Sequence, residues 1–216
     1  MKAESRLYVA KEKTCVMKKY LFAILAVVCV ASGCNQKSAD ASETTTSDSL
    51  SVTDTAVVDD RGYKVRVGDE APLFEAVDAA TGDTIRLADL RGKVVMLQFT
   101  ASWCGVCRKE MPQIESRIWQ RHKNDTTFAL LGIDRDEPAE KVVRFAEQTG
   151  VTYPLVLDPD ADIFGLYADK QAGVTRNVII GRDGRIVMMT RLYEEKEFEH
   201  MVAVIDSLLV ASPVTE

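Results

Sequence analysis

The chain has 216 residues, of which 46% are apolar and 28% charged, with a formal net charge of −6. That length allows one domain with a full hydrophobic core, together with additional segments. The acidic balance speaks against nucleic-acid binding, which calls for a basic surface to meet phosphates.

Lys18 and Lys19 precede an apolar run from Tyr20 to Ala31, and Ser32-Gly33-Cys34 follows it. This is the layout of a bacterial lipoprotein signal; a membrane-spanning helix would need about 20 apolar residues. Residues 1–33 are therefore read as a signal peptide and Cys34 as the lipidated residue, although Ala31 stands where such signals usually carry leucine. Met17-Lys18-Lys19 offers an alternative start. Cys15 and Cys29 would leave with the signal and Cys34 would carry lipid, so Cys104 and Cys107 are the two free thiols among five cysteines. Residues 35–60 hold ten Ser or Thr, six Asp or Glu and one Lys, a composition too polar for a core. Residues 34–62 are read as a lipid-anchored flexible linker, on the order of 25–30 Å root-mean-square in span. Residues 1–33 carry six basic and two acidic side chains, so their removal takes the net charge from −6 to −10.

Residues 63–212 have the size of one domain. Thr84 to Leu87 predicts a strand, and a turn over Asp89 to Gly92 leads to a second at Lys93 to Thr100, apolar enough to be covered on both faces. Met111, Ile114, Ile118 and Trp119 recur at helical spacing, with Arg108, Lys109, Glu115, Arg117 and Gln120 on the other side. Phe128 to Asp134 predicts a strand, Glu137 to Gln148 a helix closed by Gly150, and Tyr153 to Asp158 another buried strand. A short helix over Ala161 to Ala168, a hairpin of Asn177 to Ile180 and Arg185 to Met189 around Asp183-Gly184, and a helix from Glu194 to Leu209 complete the series. The order implies a mixed α/β sheet with helices on both faces.

Trp103-Cys104-Gly105-Val106-Cys107 sits between the buried strand and the amphipathic helix. Two thiols at this spacing can close and reopen a disulfide by exchange. Cys104 falls where the helix begins, beside unpaired N–H groups and the positive end of the macrodipole, a setting that lowers thiol pKa values to about 3.5–7.5. Cys104 is the expected attacking thiol, and Cys107, one turn deeper, the expected resolving thiol. Trp103 and Gly105 suit an exposed, approachable turn. Structural zinc requires four ligands, and the mature region adds only His122 and His200, both expected on the surface, so neither metal nor cofactor is anticipated beyond the Cys104–Cys107 disulfide. The acidic string Asp158, Asp160, Asp162 and Asp169 partly follows calcium-loop spacing, but Ile163 replaces the needed glycine and helix capping is the favoured role.

The element order and the motif Trp103-Cys104-x-x-Cys107-x-x-Glu110-x-Pro112 resemble the TlpA/ResA-type thiol-disulfide oxidoreductases, a branch of the thioredoxin-like superfamily. The resemblance implies a three-layer thioredoxin-like fold with an inserted strand-helix unit, here residues 127–150. It also implies an envelope-facing domain that passes electrons to oxidised protein partners and is recharged by an upstream membrane thiol reductase. Glu110 shares the helical face of Cys107 and, by the resemblance, takes its proton; a solvated surface glutamate is the alternative. Gln98 stands where thioredoxins keep a buried aspartate, and an amide can only hydrogen-bond. Pro112 is expected to bend the helix. Thr175 occupies the position of the superfamily's cis-proline, and a trans Val174–Thr175 bond is expected because a cis non-proline bond costs about 3–4 kcal/mol. Arg176 is expected either to approach the Cys104 sulfur or to face solvent.

Two other functions remain open on sequence. A thiol peroxidase would need a Pro-x-x-x-Thr-x-x-Cys pattern, but Ala101 stands at the threonine position and Thr100 and Ser102 are misplaced. A non-catalytic binding lipoprotein would leave the dithiol without a purpose.

Overall fold

A computed structural model describes residues 61–211. The signal segment, Met17, Cys34 and the linker up to residue 60 lie outside the described residues.

Seven strands form one sheet in the order β2-β1-β5-β4-β3-β6-β7. They are β1 (Glu75–Asp78), β2 (Thr84–Arg86), β3 (Val94–Thr100), β4 (Phe128–Arg135), β5 (Leu155–Asp158), β6 (Arg176–Ile180) and β7 (Ile186–Arg191). β3 pairs parallel with β4 and antiparallel with β6, and all seven of its residues are buried. Gln98 and Thr100 meet α1 (Gly105–Ile114) on one face, through Glu110 and Met111. Phe99 meets Phe164 and Tyr167 of α4 (Asp162–Tyr167) on the other. Helices therefore cover both faces, which is why the strand is a nearly continuous apolar run. The inserted unit is β4 and α3 (Ala139–Thr149), which ends on Gly150 in the left-handed conformation at φ 71°. β4 pairs parallel with both β3 and β5 and so stands inside the sheet.

Several expectations need correction. β1 was not anticipated; it joins β2 to β5, antiparallel to both. The strand expected from Tyr153 starts at Leu155, while the Tyr153 side chain points into the core. After Pro112 the first helix passes through a π-helical turn, Glu115–Trp119, before α2 (Gln120–His122). This extra-wide turn breaks the 3.6-residue phase. Glu115, expected on the exposed side, is buried: it follows the buried Met111 by four residues and shares its helical face, and its carboxylate accepts from the Thr152 N–H at 2.8 Å and hydroxyl at 2.7 Å. His122 is not simply at the surface: its Nε2 lies 2.8 Å from the Asp206 carboxylate of α5 (Glu195–Val210), and its ring stands edge-on to Phe128. His200 is exposed. Asp158 caps α4, accepting from the N–H groups of Ile163 and Phe164 at 3.0 and 2.8 Å.

Candidate active site

The site stands at the carboxyl ends of β3 and β4, where the chain leaves the sheet for α1. Cys104 is the N-cap residue of α1, and its sulfur accepts from the Cys107 N–H at 3.2 Å. The two cysteines are joined as a disulfide with Cα atoms 5.3 Å apart. Cys104 keeps 8% of its surface exposed and Cys107 none, while the neighbouring Trp103 is 60% exposed. Access to the pair is thus through Cys104. The Thr175 hydroxyl lies 3.0 Å from the Cys104 sulfur and 3.2 Å from that of Cys107.

Glu110, three residues after Cys107 on α1, is buried and is no solvated helix glutamate. Asn177 donates to its Oε1 at 2.7 Å and Gln98 to its Oε2 at 3.3 Å. Burial disfavours the charged carboxylate and outweighs these two donors, so its pKa is raised to about 7. The Gln98 carbonyl accepts from the Tyr153 hydroxyl at 2.7 Å, and burial keeps that phenol protonated and donating. Gly132 lies opposite Gln98 in the register and makes room for this contact, since a Cβ there would collide with Leu155 and press on Tyr153. Asn177 also donates to Thr190 at 2.9 Å. Tyr153, Gln98, Glu110, Asn177 and Thr190 form one buried polar chain. Sequence reasoning missed Tyr153 and Asn177, whose partners lie 55 and 67 residues away.

A second acidic group supports the loop itself. Glu137, just before α3, accepts from the Ser102 N–H at 2.6 Å and its hydroxyl at 2.7 Å, and pairs with Lys141. Burial opposes its charge, but the bonds from Lys141 and Ser102 prevail and hold its pKa below the usual carboxylate range. Asp134, opposite Thr100 in the register, is fully buried, and neither oxygen finds a hydrogen-bond partner among the described residues. Burial, and next the Glu137 charge, push its pKa up to about 8.

Arg176 does not face solvent. It is 1% exposed, donates from Nε to the Gly173 carbonyl at 3.0 Å and from its guanidinium to the Arg61 carbonyl, and lies 4.4 Å over the Tyr63 ring. It pins the start of the domain to β6, and these contacts draw it away from the solvent-facing role. Thr100 and Ser102, the hydroxyls the sequence offers beside the peroxidase pattern, are engaged with Met111 and Glu137.

A family model described as Redoxin matches residues 66–209. Over 124 residues the chain is 33% identical to the thiol-disulfide oxidoreductase ResA of Bacillus thuringiensis (strain Al Hakam), an alignment covering 57% of this chain and 69% of that protein. The chain is a ResA-type member of the Redoxin family. A solution structure titled as a candidate protein disulfide isomerase from Bacteroides thetaiotaomicron is 61% identical, with TM-score 0.68, covering 69% of this chain and 94% of that one. A candidate thiol:disulfide interchange protein DsbE from Chlorobium tepidum is 26% identical, with TM-score 0.59, over 67% of this chain and 99% of that one. The ResA-type assignment carries with it the thioredoxin-like fold and thiol-disulfide oxidoreductase chemistry at Cys104 and Cys107.

Proposed function

We propose that this oxidoreductase works as a lipid-anchored reductant of oxidised proteins in the bacterial cell envelope. The observation that carries the proposal is the pairing of a sulfur-bearing residue that keeps slight exposure, Cys104, with a sealed one, Cys107, on a helix that also carries the buried Glu110 three residues further on. The Cys104 thiolate attacks a substrate disulfide, forming a mixed disulfide and releasing one substrate sulfur as a thiolate. Glu110 takes the Cys107 proton, the Cys107 sulfur attacks Cys104, and the electron pair of the broken mixed disulfide leaves with the second substrate sulfur. The substrate gains two electrons, and the enzyme ends as the Cys104–Cys107 disulfide. A carboxyl titrating near neutrality is suited to a transfer that must go either way, because its acid and base forms are both present. Trp103 offers an exposed apolar contact for an unfolded or partly folded substrate.

The reducing direction rests on the resemblance to the ResA branch, since dithiols of this type span roughly −270 to −120 mV. The envelope location and anchor rest on Lys18-Lys19, the apolar run to Ala31 and Cys34. An upstream membrane thiol reductase would return the disulfide to the dithiol. The test is insulin-disulfide reduction alongside peroxide turnover, in wild type and Cys107→Ser. Reduction of insulin that depends on Cys107, without peroxidase activity, is expected; peroxide consumption that survives Cys107→Ser would overturn the proposal in favour of a peroxidase. For the anchor, Cys34→Ala should move the protein from the membrane fraction to the soluble fraction.

A further inference from the structure

We infer that the Thr175 hydroxyl is a catalytic hydrogen-bond donor that follows the negative charge from the Cys104 sulfur to the Cys107 sulfur during exchange. The inference rests on Cys104 being the attacking thiol. By the resemblance to the TlpA/ResA branch, Thr175 stands where a proline, which offers no hydroxyl, is expected, so the donor rests on this chain's own residue.

The geometry places the donor between the two reacting atoms. Oγ1 stands 3.0 Å from one sulfur and 3.2 Å from the other, both within reach of a hydroxyl that has a single proton and rotates freely about its Cβ–O bond. The rest of Thr175 is held still. Its carbonyl accepts from the Leu192 N–H at 2.9 Å and from the Arg191 guanidinium at 3.3 Å, and the residue is 2% exposed. Gly173 keeps this brace open, because a Cβ there would run into the Arg191 guanidinium. Leu192 takes the left-handed conformation, φ 66°, as it turns its N–H onto Thr175.

In the reduced dithiol, Cys104 is the thiolate and Cys107 the thiol. The Cys104 thiolate then has two donors, the Cys107 N–H and the Thr175 O–H, and hydrogen bonds to an ionised sulfur are stronger than those to a neutral one. When Cys104 bonds to the substrate sulfur its charge is gone, and the Thr175 O–H is free to turn away from it. As Glu110 accepts the Cys107 proton, the new thiolate forms 3.2 Å from the same oxygen, and a rotation of the hydroxyl stabilises it. No proton is transferred from Thr175; the hydroxyl only changes the sulfur to which it points. The charged groups packed around this site are Glu110 and Arg108 of α1, Asp134 at the end of β4, Glu137 with Lys141 at the start of α3, and Arg191 of β7. They are common to wild type and variants, so a change at Thr175 isolates the hydroxyl.

The experiment follows the Cys104 thiolate in the reduced full chain by the pH dependence of its alkylation with iodoacetamide, read by mass spectrometry, in wild type, Thr175→Val and Thr175→Ser. Thr175→Val keeps the shape and removes the donor. Its Cys104 titration should move up by about one pH unit, so that alkylation below that range slows about tenfold. Thr175→Ser should stay within about threefold of wild type. Should Thr175→Val fail to fold, Thr175→Ala carries the same expectation. An unchanged titration in the variants lacking the hydroxyl, or a Ser variant as impaired as Val, would overturn the inference. Wild-type protein inert toward insulin but titrating normally would instead sink the proposed function and leave Thr175 in place.

Discussion

The two halves of the sheet are built on opposite terms. Along the first half of β3, Val94, Val95, Met96 and Leu97 lie among Leu130, Leu131, Val178, Ile179 and Ile180, all apolar and buried. One residue further the character changes. Gln98 lies between Gly132 and Asn177, Thr100 lies beside Asp134, and Glu110, Glu137, Thr175 and Thr190 are buried around them. The apolar half supplies net stabilisation, because burying apolar surface is favourable. The polar half costs stability wherever a carboxyl is removed from water, and it is there that the dithiol chemistry is placed.

Substitutions in the two halves should therefore fail in different ways. Leu97→Ala in the apolar half should lower folding stability by about 2–5 kcal/mol in urea titration, with little change in Cys104 alkylation per folded molecule. Glu110→Gln should fold, yet slow the resolution of a mixed disulfide at pH 7 on the order of 10²-fold, and remove the inflection near pH 7 from the rate profile measured by stopped flow. If that inflection persists, another group takes the Cys107 proton.

A smaller effect separates the halves by pH. Both Glu110 and Asp134 have folded pKa values raised, from 4.5 to about 7 and from 3.8 to about 8. The native protein thus holds protons that the unfolded chain releases, so their contribution to stability is intact below about pH 4 and is lost as pH rises towards 8. Asp134→Asn should flatten that decline, raising the melting temperature at pH 8 by about 2–8 °C and leaving it nearly unchanged at pH 4. An equal gain at both pH values would mean that Asp134 acts through packing and not through its proton. The least effect is expected far from both regions: Arg86→Ala, which removes an exposed ion pair with Glu75 at 2.8 Å, should change stability by about 0.5 kcal/mol or less in thermal melts.

What could be read from the sequence followed the same division. β3 and the start of α1 were legible because an apolar run and a Cys-x-x-Cys at a helix start are local patterns. Glu110 could be placed under Cys107 from spacing alone, three residues on, and its burial adds what spacing lacked. The partners of Glu110 were not legible: Asn177 and, through Gln98, Tyr153 reach it across three strands, and nothing near either residue announces the contact. Arg176 was misjudged because an arginine is ordinarily solvated, whereas here two carbonyls and a ring receive it. Glu115 lies four residues after the buried Met111 and turns to Thr152, a partner 37 residues away that no local pattern announces. Thr175 could be located only by alignment with the superfamily's proline, and its hydroxyl's reach to both sulfurs is a property of the fold.

Glu137 gives the inserted unit a meaning beyond its size. The N–H and hydroxyl of Ser102, two residues ahead of the reactive cysteine, are fastened to a side chain that the insertion alone contributes. Trimming residues 127–150 to obtain a minimal scaffold would strip the redox turn of its latch as well as removing β4 from the interior of the sheet. Any miniaturised version of this enzyme would first have to supply a substitute acceptor for Ser102.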